Sequence, residues 1–131
     1  MHFYNFWFQI RSLLKVNIQL CDEDGIRVLM IKGDNKIADR SDVTVLLITI
    51  DSTQSNPIEN LIFNAKVSKP YRIKCLQPSG NEFAAFNPIS NSSSRITQIL
   101  LMGGRPSEIT WTLSFDMNDE TINRSGTASL S

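Results

Sequence analysis

The sequence predicts an all-β protein, an antiparallel β-sandwich of about eight strands. Three observations lead there. Strand-like runs recur at roughly regular spacing after Lys15, β-branched residues enrich the strongest of them, and turn residues separate them. No convincing helical periodicity follows the first fifteen residues, so two layers of sheet are the way to bury these faces. A chain of 131 residues suits one domain and can fold without covalent staples.

The elements follow in order. "KVNIQLC" (15–21) and "GIRVLMI" (25–31) flank the acidic turn "DEDG", which makes them a hairpin. "DVTVLLITID" (42–51) is the strongest strand, dense in β-branched residues. "SNPIEN" is a loop before "LIFNAKV" (61–67). "KPYRIKCL" (69–76) starts with Pro70 at a strand start, and "QPSGNEF" has turn chemistry. "NPISNSSS" is a polar loop before "RITQILLM" (95–102), and "GGRP" breaks that strand. In "RPSEITWTLSFDM" (105–117) the apolar Ile109, Trp111, Leu113, Phe115 and Met117 alternate with Thr110, Thr112, Ser114 and Asp116, so one face is buried and the other wet. "NDET" leads to a weak final strand near "TINRSGTAS".

Residues 1–14 are a divergent apolar N-terminal extension, and residues 15–131 form the sandwich. Five of the eleven aromatics lie at Phe3, Tyr4, Phe6, Trp7 and Phe8. Phe3, Phe6, Trp7, Ile10, Leu13 and Leu14 fit one helical face. The segment is too short and polar to span a bilayer. It fits a membrane interface, a partner surface, or an extension packed on the domain.

Formal net charge is zero and no basic run is present, so nothing points to nucleic acid. The one histidine, His2, and two distant cysteines make no zinc set and no nucleophile–base pair. Asp22, Glu23 and Asp24 sit in a turn, where carboxylates are solvated. "MGGRP" opens no helix and is a turn, not a phosphate loop. The expectation is a binding module without catalytic residues, cofactor or metal. Cys21 and Cys75 are separated by roughly the span of an immunoglobulin bridge, but no Trp lies between them and Ile73 stands where a tyrosine corner needs Tyr. Either a disulfide or two reduced thiols fits, the latter in a cytosolic protein. Asn91-Ser92-Ser93 and Asn123-Arg124-Ser125 match glycosylation acceptors, yet no cleavable signal precedes them.

Three stretches go beyond a generic β pattern: "GIRVLM", "CLQPSGNEFAAFNP" and "RITQILL". With "FNAKVSK" and "LSFDMNDETINRSG", in this order and spacing, they resemble the gamma-adaptin ear (GAE) domain, with the closer likeness to the ear of GGA-type clathrin adaptors. The likeness covers about residues 16 to 127. It implies an immunoglobulin-like sandwich without catalysis, a monomeric adaptor appendage in the cytosol, peripheral at the trans-Golgi network and endosomes. Its implied partners are short linear motifs of accessory trafficking proteins: a bulky apolar residue, Gly, an acidic residue or Pro, then a second bulky apolar residue, often with acidic neighbours. Such a peptide lies extended, in the manner of strand addition.

Carried over residue by residue, the resemblance places the family's groove Lys on Lys69 and its Pro on Pro78. Its small Ala falls on Lys66, and its groove Leu on Cys75 with Leu76 beside it. Its two outward Arg fall on Glu108 and Thr110, which makes one position acidic and the other neutral. The expected peptide-binding set is therefore Lys66, Lys69, Cys75, Leu76, Pro78, Glu108 and Thr110, with specificity altered from the family's. Two other readings stand beside it: a degenerate ear that keeps the fold without the ligand, and a secreted immunoglobulin-like domain.

Overall fold

A computed structural model describes residues 14–33, 43–89 and 95–130. The aromatic segment before Leu14, with His2 and Trp7, and the acceptor triplet at Asn91 lie outside the described residues.

Eight strands form: β1 (Leu14–Glu23), β2 (Ile26–Gly33), β3 (Val43–Ser52), β4 (Glu59–Lys66), β5 (Arg72–Cys75), β6 (Arg95–Gly103), β7 (Glu108–Met117) and β8 (Glu120–Ser129). They make two antiparallel sheets, one ordered β1-β2-β3-β6-β5 and the other β4-β7-β8. The chain changes sheet after β3, β4 and β6, which gives the sandwich its immunoglobulin-like wiring.

Local chemistry sets the two tight hairpins. Asp24 and Gly25 join β1 to β2 with φ of 54° and 77°, and Asn118 and Asp119 join β7 to β8 with φ of 54° and 63°. Positive φ at both central residues is the turn whose twist matches paired strands, and Gly, Asn and Asp adopt it most readily. The acidic turn is not merely solvated. Arg124 of β8 binds Glu23 at 3.0 Å through Nε and also pairs with Asp24, so it ties the turn to the opposite sheet.

The core lies between the inner faces. Val28, Met30, Leu46, Ile48, Ile50 and Leu100 are fully buried on one side, and Phe63, Ile109, Trp111, Leu113 and Phe115 oppose them. The alternation predicted for β7 is therefore present, with Thr110 and Thr112 outside. Two elements differ from expectation. β5 is four residues long, because Pro70 sits in a turn closed by Tyr71 N–H donating to the Ser68 carbonyl. β8 is a full ten-residue strand despite its Asn, Arg, Ser and Gly, because every residue from Glu120 to Ser129 has a partner on β7. Pairing with a good strand overrides weak propensity.

Glycine is required at the end of β6. Gly104 has φ 86°, and a Cβ there would meet the Tyr71 ring at 2.5 Å. This close approach presses the β6–β7 turn onto the start of β5. The long segment after β5 is pinned as well: Ile58 and Phe83 exchange backbone hydrogen bonds, Phe83 is buried, and Phe86 N–H donates to the Gln54 carbonyl.

Cys21 and Cys75 do not meet. They lie on β1 and β5, the two edges of one five-stranded sheet, four strand spacings or about 19 Å apart. A disulfide needs Cα atoms within about 7 Å. Both cysteines are free, and the immunoglobulin-type bridge, which links two sheets, is overturned.

Candidate functional site

The two sheets leave an opening where their edges face each other. β4 is an edge strand, with β7 on one side and, over Ile62–Lys66, no strand on the other among the described residues. β5 is the facing edge, with β6 as its only strand partner among the described residues. Beyond Cys75 the chain still runs beside β6: Leu76 N–H donates to the Ile99 carbonyl and Ser79 N–H to the Thr97 carbonyl. Leu61 N–H turns away from β7 and donates to the Asn81 carbonyl, which closes the far end.

Between these edges lies a cavity of ≈ 540 Å³. Its apolar wall is Leu61, Phe63, Cys75, Leu76 and Pro78, and Ile62, 57% exposed, stands at its rim. Pro78 thus lines the groove as well as shaping the turn. The size and mixed lining suit one bulky apolar side chain with the backbone that carries it.

The predicted residues divide into two groups. Cys75, Leu76 and Pro78 line the cavity. Lys66, Lys69, Glu108 and Thr110 do not; they are exposed and lie at the adjoining end of the sandwich. Lys66 is directly opposite Thr110 across the β4–β7 pair, on the outer face. Thr112 and Ser114 continue that face on β7, and Ser125, Thr127 and Ser129 on β8, so it is rich in hydroxyls.

Charge distinguishes this end. Lys66, Lys69, Arg72, Lys74 and Arg105 are exposed, and none makes an ion pair among the described residues. Two other cations are engaged elsewhere: Arg95 binds Asp51 at 2.8 Å, which pushes its pKa up, and Arg124 holds Glu23 and Asp24. Unpaired cations beside an apolar groove attract acidic segments. A second hollow, ≈ 360 Å³, lies at the β7–β8 turn among Glu59, Asp116, Asp119 and Glu120. Hydrogen bonds from Asn60 and Thr121 hold the Asp116 carboxyl below its usual range. That hollow is acidic and would repel the same segments.

Sequence reasoning missed Gln98. It sits on β6 among Ile96, Leu100 and Met102, all inward, and its Nε2 donates to the Leu76 carbonyl at 2.9 Å. A polar residue in the parity of a core column was the available signal.

The two thiols should react differently. Cys21 is buried, and burial followed by the charge of Glu23 pushes its pKa up. Cys75 is half-buried in the groove wall. Under native conditions, mass spectrometry after iodoacetamide should show Cys75 alkylated at least tenfold faster than Cys21, since Cys21 is both shielded from the reagent and held as the thiol by burial. Equal rates would mean that the groove wall is closed.

Known proteins match the chain across the whole sandwich. A family model described as the adaptin C-terminal domain matches residues 16–129. Human ADP-ribosylation factor-binding protein GGA1 is 37% identical over 112 residues, which is 83% of this chain and 17% of the relative. Its mouse counterpart is 37% identical over 118 residues, 88% of this chain and 18% of the relative. The chain thus spans under a fifth of those proteins. Among solved structures, the GAE domain of GGA2p from Saccharomyces cerevisiae superposes with TM-score 0.71 at 14% identity, over 89% of this chain and 98% of that one. The yeast GGA1 GAE domain gives 0.69 at 22%, over 88% and 99%. At these identities the two structures speak to fold alone.

Proposed function

Since the chain belongs to the adaptin C-terminal domain family and is an ear domain of the GGA type, we propose that it is an adaptor appendage that binds short peptide motifs. Its partners are unstructured segments of accessory proteins in clathrin-mediated traffic at the trans-Golgi network and endosomes, met as a monomer from the cytosol. The observation that supports this is the cavity with an apolar wall between the free edge of β4 and the edge of β5, with lysines and arginines at its end that make no ion pair among the described residues.

The geometry suggests how a motif lies. The stretch of β4 from Leu61 to Lys66 covers about 17 Å, enough for four or five extended residues. One apolar anchor enters the cavity. The backbone runs along β4, whose outer side is open. The acidic flank then reaches Lys66 and Lys69. A segment drawn from a disordered tail loses entropy on ordering, so the affinity is modest and reversible.

The other anchor site is altered. The resemblance puts a small residue and two Arg where Lys66, Thr110 and Glu108 stand, and here that surface has neither Arg. Selection then rests more on the cavity and on charge. A second reading, an ear that has lost its ligand, draws on the same loss of both Arg and of the small residue. Titrating a peptide that contains Phe-Gly-Asp-Phe, followed by amide shifts, separates the two. Binding at micromolar to submillimolar concentration excludes the degenerate ear, and no shift at millimolar peptide excludes motif binding.

Charge variants refine the test. Lys69→Glu should weaken an acidic-flanked peptide about two- to fivefold, and Glu108→Arg should tighten it by a similar factor, the range for exposed charge pairs. Both effects should fade as salt approaches about 1 M, where the screening length falls to roughly 3 Å. Calorimetric titration at two salt concentrations measures both.

A further inference from the structure

Gln98 is the one buried polar side chain in the wall of the groove. It is 6% exposed, while the other amides that line the cavity, Asn64, Gln77 and Asn81, are open to water. Its Nε2 is engaged by the Leu76 carbonyl. Among the described residues, no donor reaches its Oε1. Buried amide oxygens are almost always hydrogen-bonded, and one left without a donor is unfavourable. A buried acceptor in the wall of a cavity of mixed lining therefore points to a donor brought by whatever fills it.

We infer that Gln98 is a specificity-determining residue of this groove: Nε2 fixes the Leu76 wall, and Oε1 accepts a backbone N–H from the bound segment. This rests on the motif-binding reading. An extended backbone turns N–H groups sideways at every second residue, and the N–H beside a buried anchor would be stranded in the cavity without an acceptor. The consequence is chemical selectivity at one position. A proline there lacks the N–H, and so does an N-methylated residue, so the groove disfavours both. An apolar residue at position 98 would fill space equally well and would lose this discrimination.

The test uses the full chain, a peptide containing Phe-Gly-Asp-Phe, and copies of it N-methylated at one backbone amide each. Gln98→Met should weaken the parent peptide roughly tenfold, the scale for one hydrogen bond with a buried partner left unmet. One methylated copy should lose a similar factor on the wild-type chain and nothing further on Gln98→Met. Equal affinity of wild type and variant for the parent peptide overturns the inference alone, as do fully additive losses for every copy. No binding by the wild type at millimolar peptide overturns the motif-binding reading and this inference with it. Should Gln98→Met fail to fold, the wild-type side-chain amide reports instead: its ¹³Cδ and ¹⁵Nε2 resonances should move on saturation with peptide, and unmoved resonances overturn the inference.

Discussion

Trp111→Ala lowers the stability of the sandwich by about 3–5 kcal/mol, the range for emptying a large aromatic site in a core. Trp111 lies at the centre of β7, 5% exposed. Its ring stacks on Phe63 of β4, with centroids 6.4 Å apart and planes 13° from parallel. On the other side it lies over Gly126 of β8, its register partner, where a Cβ would come within 3.0 Å of the ring. The indole therefore covers all three strands of the smaller sheet. Replacing it leaves a void that Gly126 has no side chain to fill and removes the stack, itself worth about 0.5–1.5 kcal/mol. A domain of this size has about 5–15 kcal/mol in total, so the variant should melt on the order of 10 °C or more below the wild type. Thermal and urea unfolding followed by circular dichroism measure it. A loss below about 1 kcal/mol would show that the smaller sheet does not depend on this contact. The effect should also be non-additive with Phe63→Leu, since the two rings share one interface.

Such a residue could be read from sequence because its evidence is local. Ile109, Trp111, Leu113 and Phe115 alternate with polar neighbours, and period two assigns a face without knowledge of any other strand. The turns at Asp24-Gly25 and Asn118-Asp119 were legible for the same reason: their backbone demands few residue types. β8 reads as weak because its own residues are poor strand formers. Its length comes from β7, which is long-range information. Sheet partition is long-range too. Nothing in "LIFNAKV" says that β4 pairs with β7 and leaves its other edge open, and nothing near Cys21 or Cys75 places them on opposite edges of one sheet. The candidate site depends on that partition. Its residues came from the resemblance, and the fold then separated Cys75, Leu76 and Pro78 in the cavity from Lys66, Lys69, Glu108 and Thr110 beside it. Gln98 was passed over because a single polar residue in a strand reads as the wet face until its parity with Ile96, Leu100 and Met102 is counted.

Leu76→Asp should abolish most motif binding, about a thirtyfold loss, while the domain stays folded. The prediction turns on which parts of Leu76 serve the fold and which serve the groove. Its backbone belongs to the fold: the N–H donates to the Ile99 carbonyl, and the carbonyl accepts from Gln98. Both bonds survive a change of side chain. The side chain is half-buried and lines the cavity. In the free protein an aspartate there can turn to water at the open mouth, so stability should fall by no more than about 1 kcal/mol, near the centre of the range for single substitutions. In the complex it cannot do so. An incoming apolar anchor would strip water from a carboxylate that has no cation in the cavity wall, and the contact with leucine would be lost as well. Burying a leucine completely is worth about 1.5–3 kcal/mol, and a half-buried one forfeits part of that. Together with desolvation of the charge this reaches about 2 kcal/mol, which is the thirtyfold loss. Acidic flanks add repulsion, so the deficit should shrink for a peptide with neutral flanks but not vanish. Leu76→Met, similar in volume and still apolar, should bind within about threefold of wild type. Loss of binding in both variants with melting temperatures unchanged would place the anchor's contact on leucine's shape rather than its polarity. Full binding by Leu76→Asp would move the peptide away from the β4–β5 cavity altogether and leave the hydroxyl-rich face of β7 and β8 as the surface to probe next.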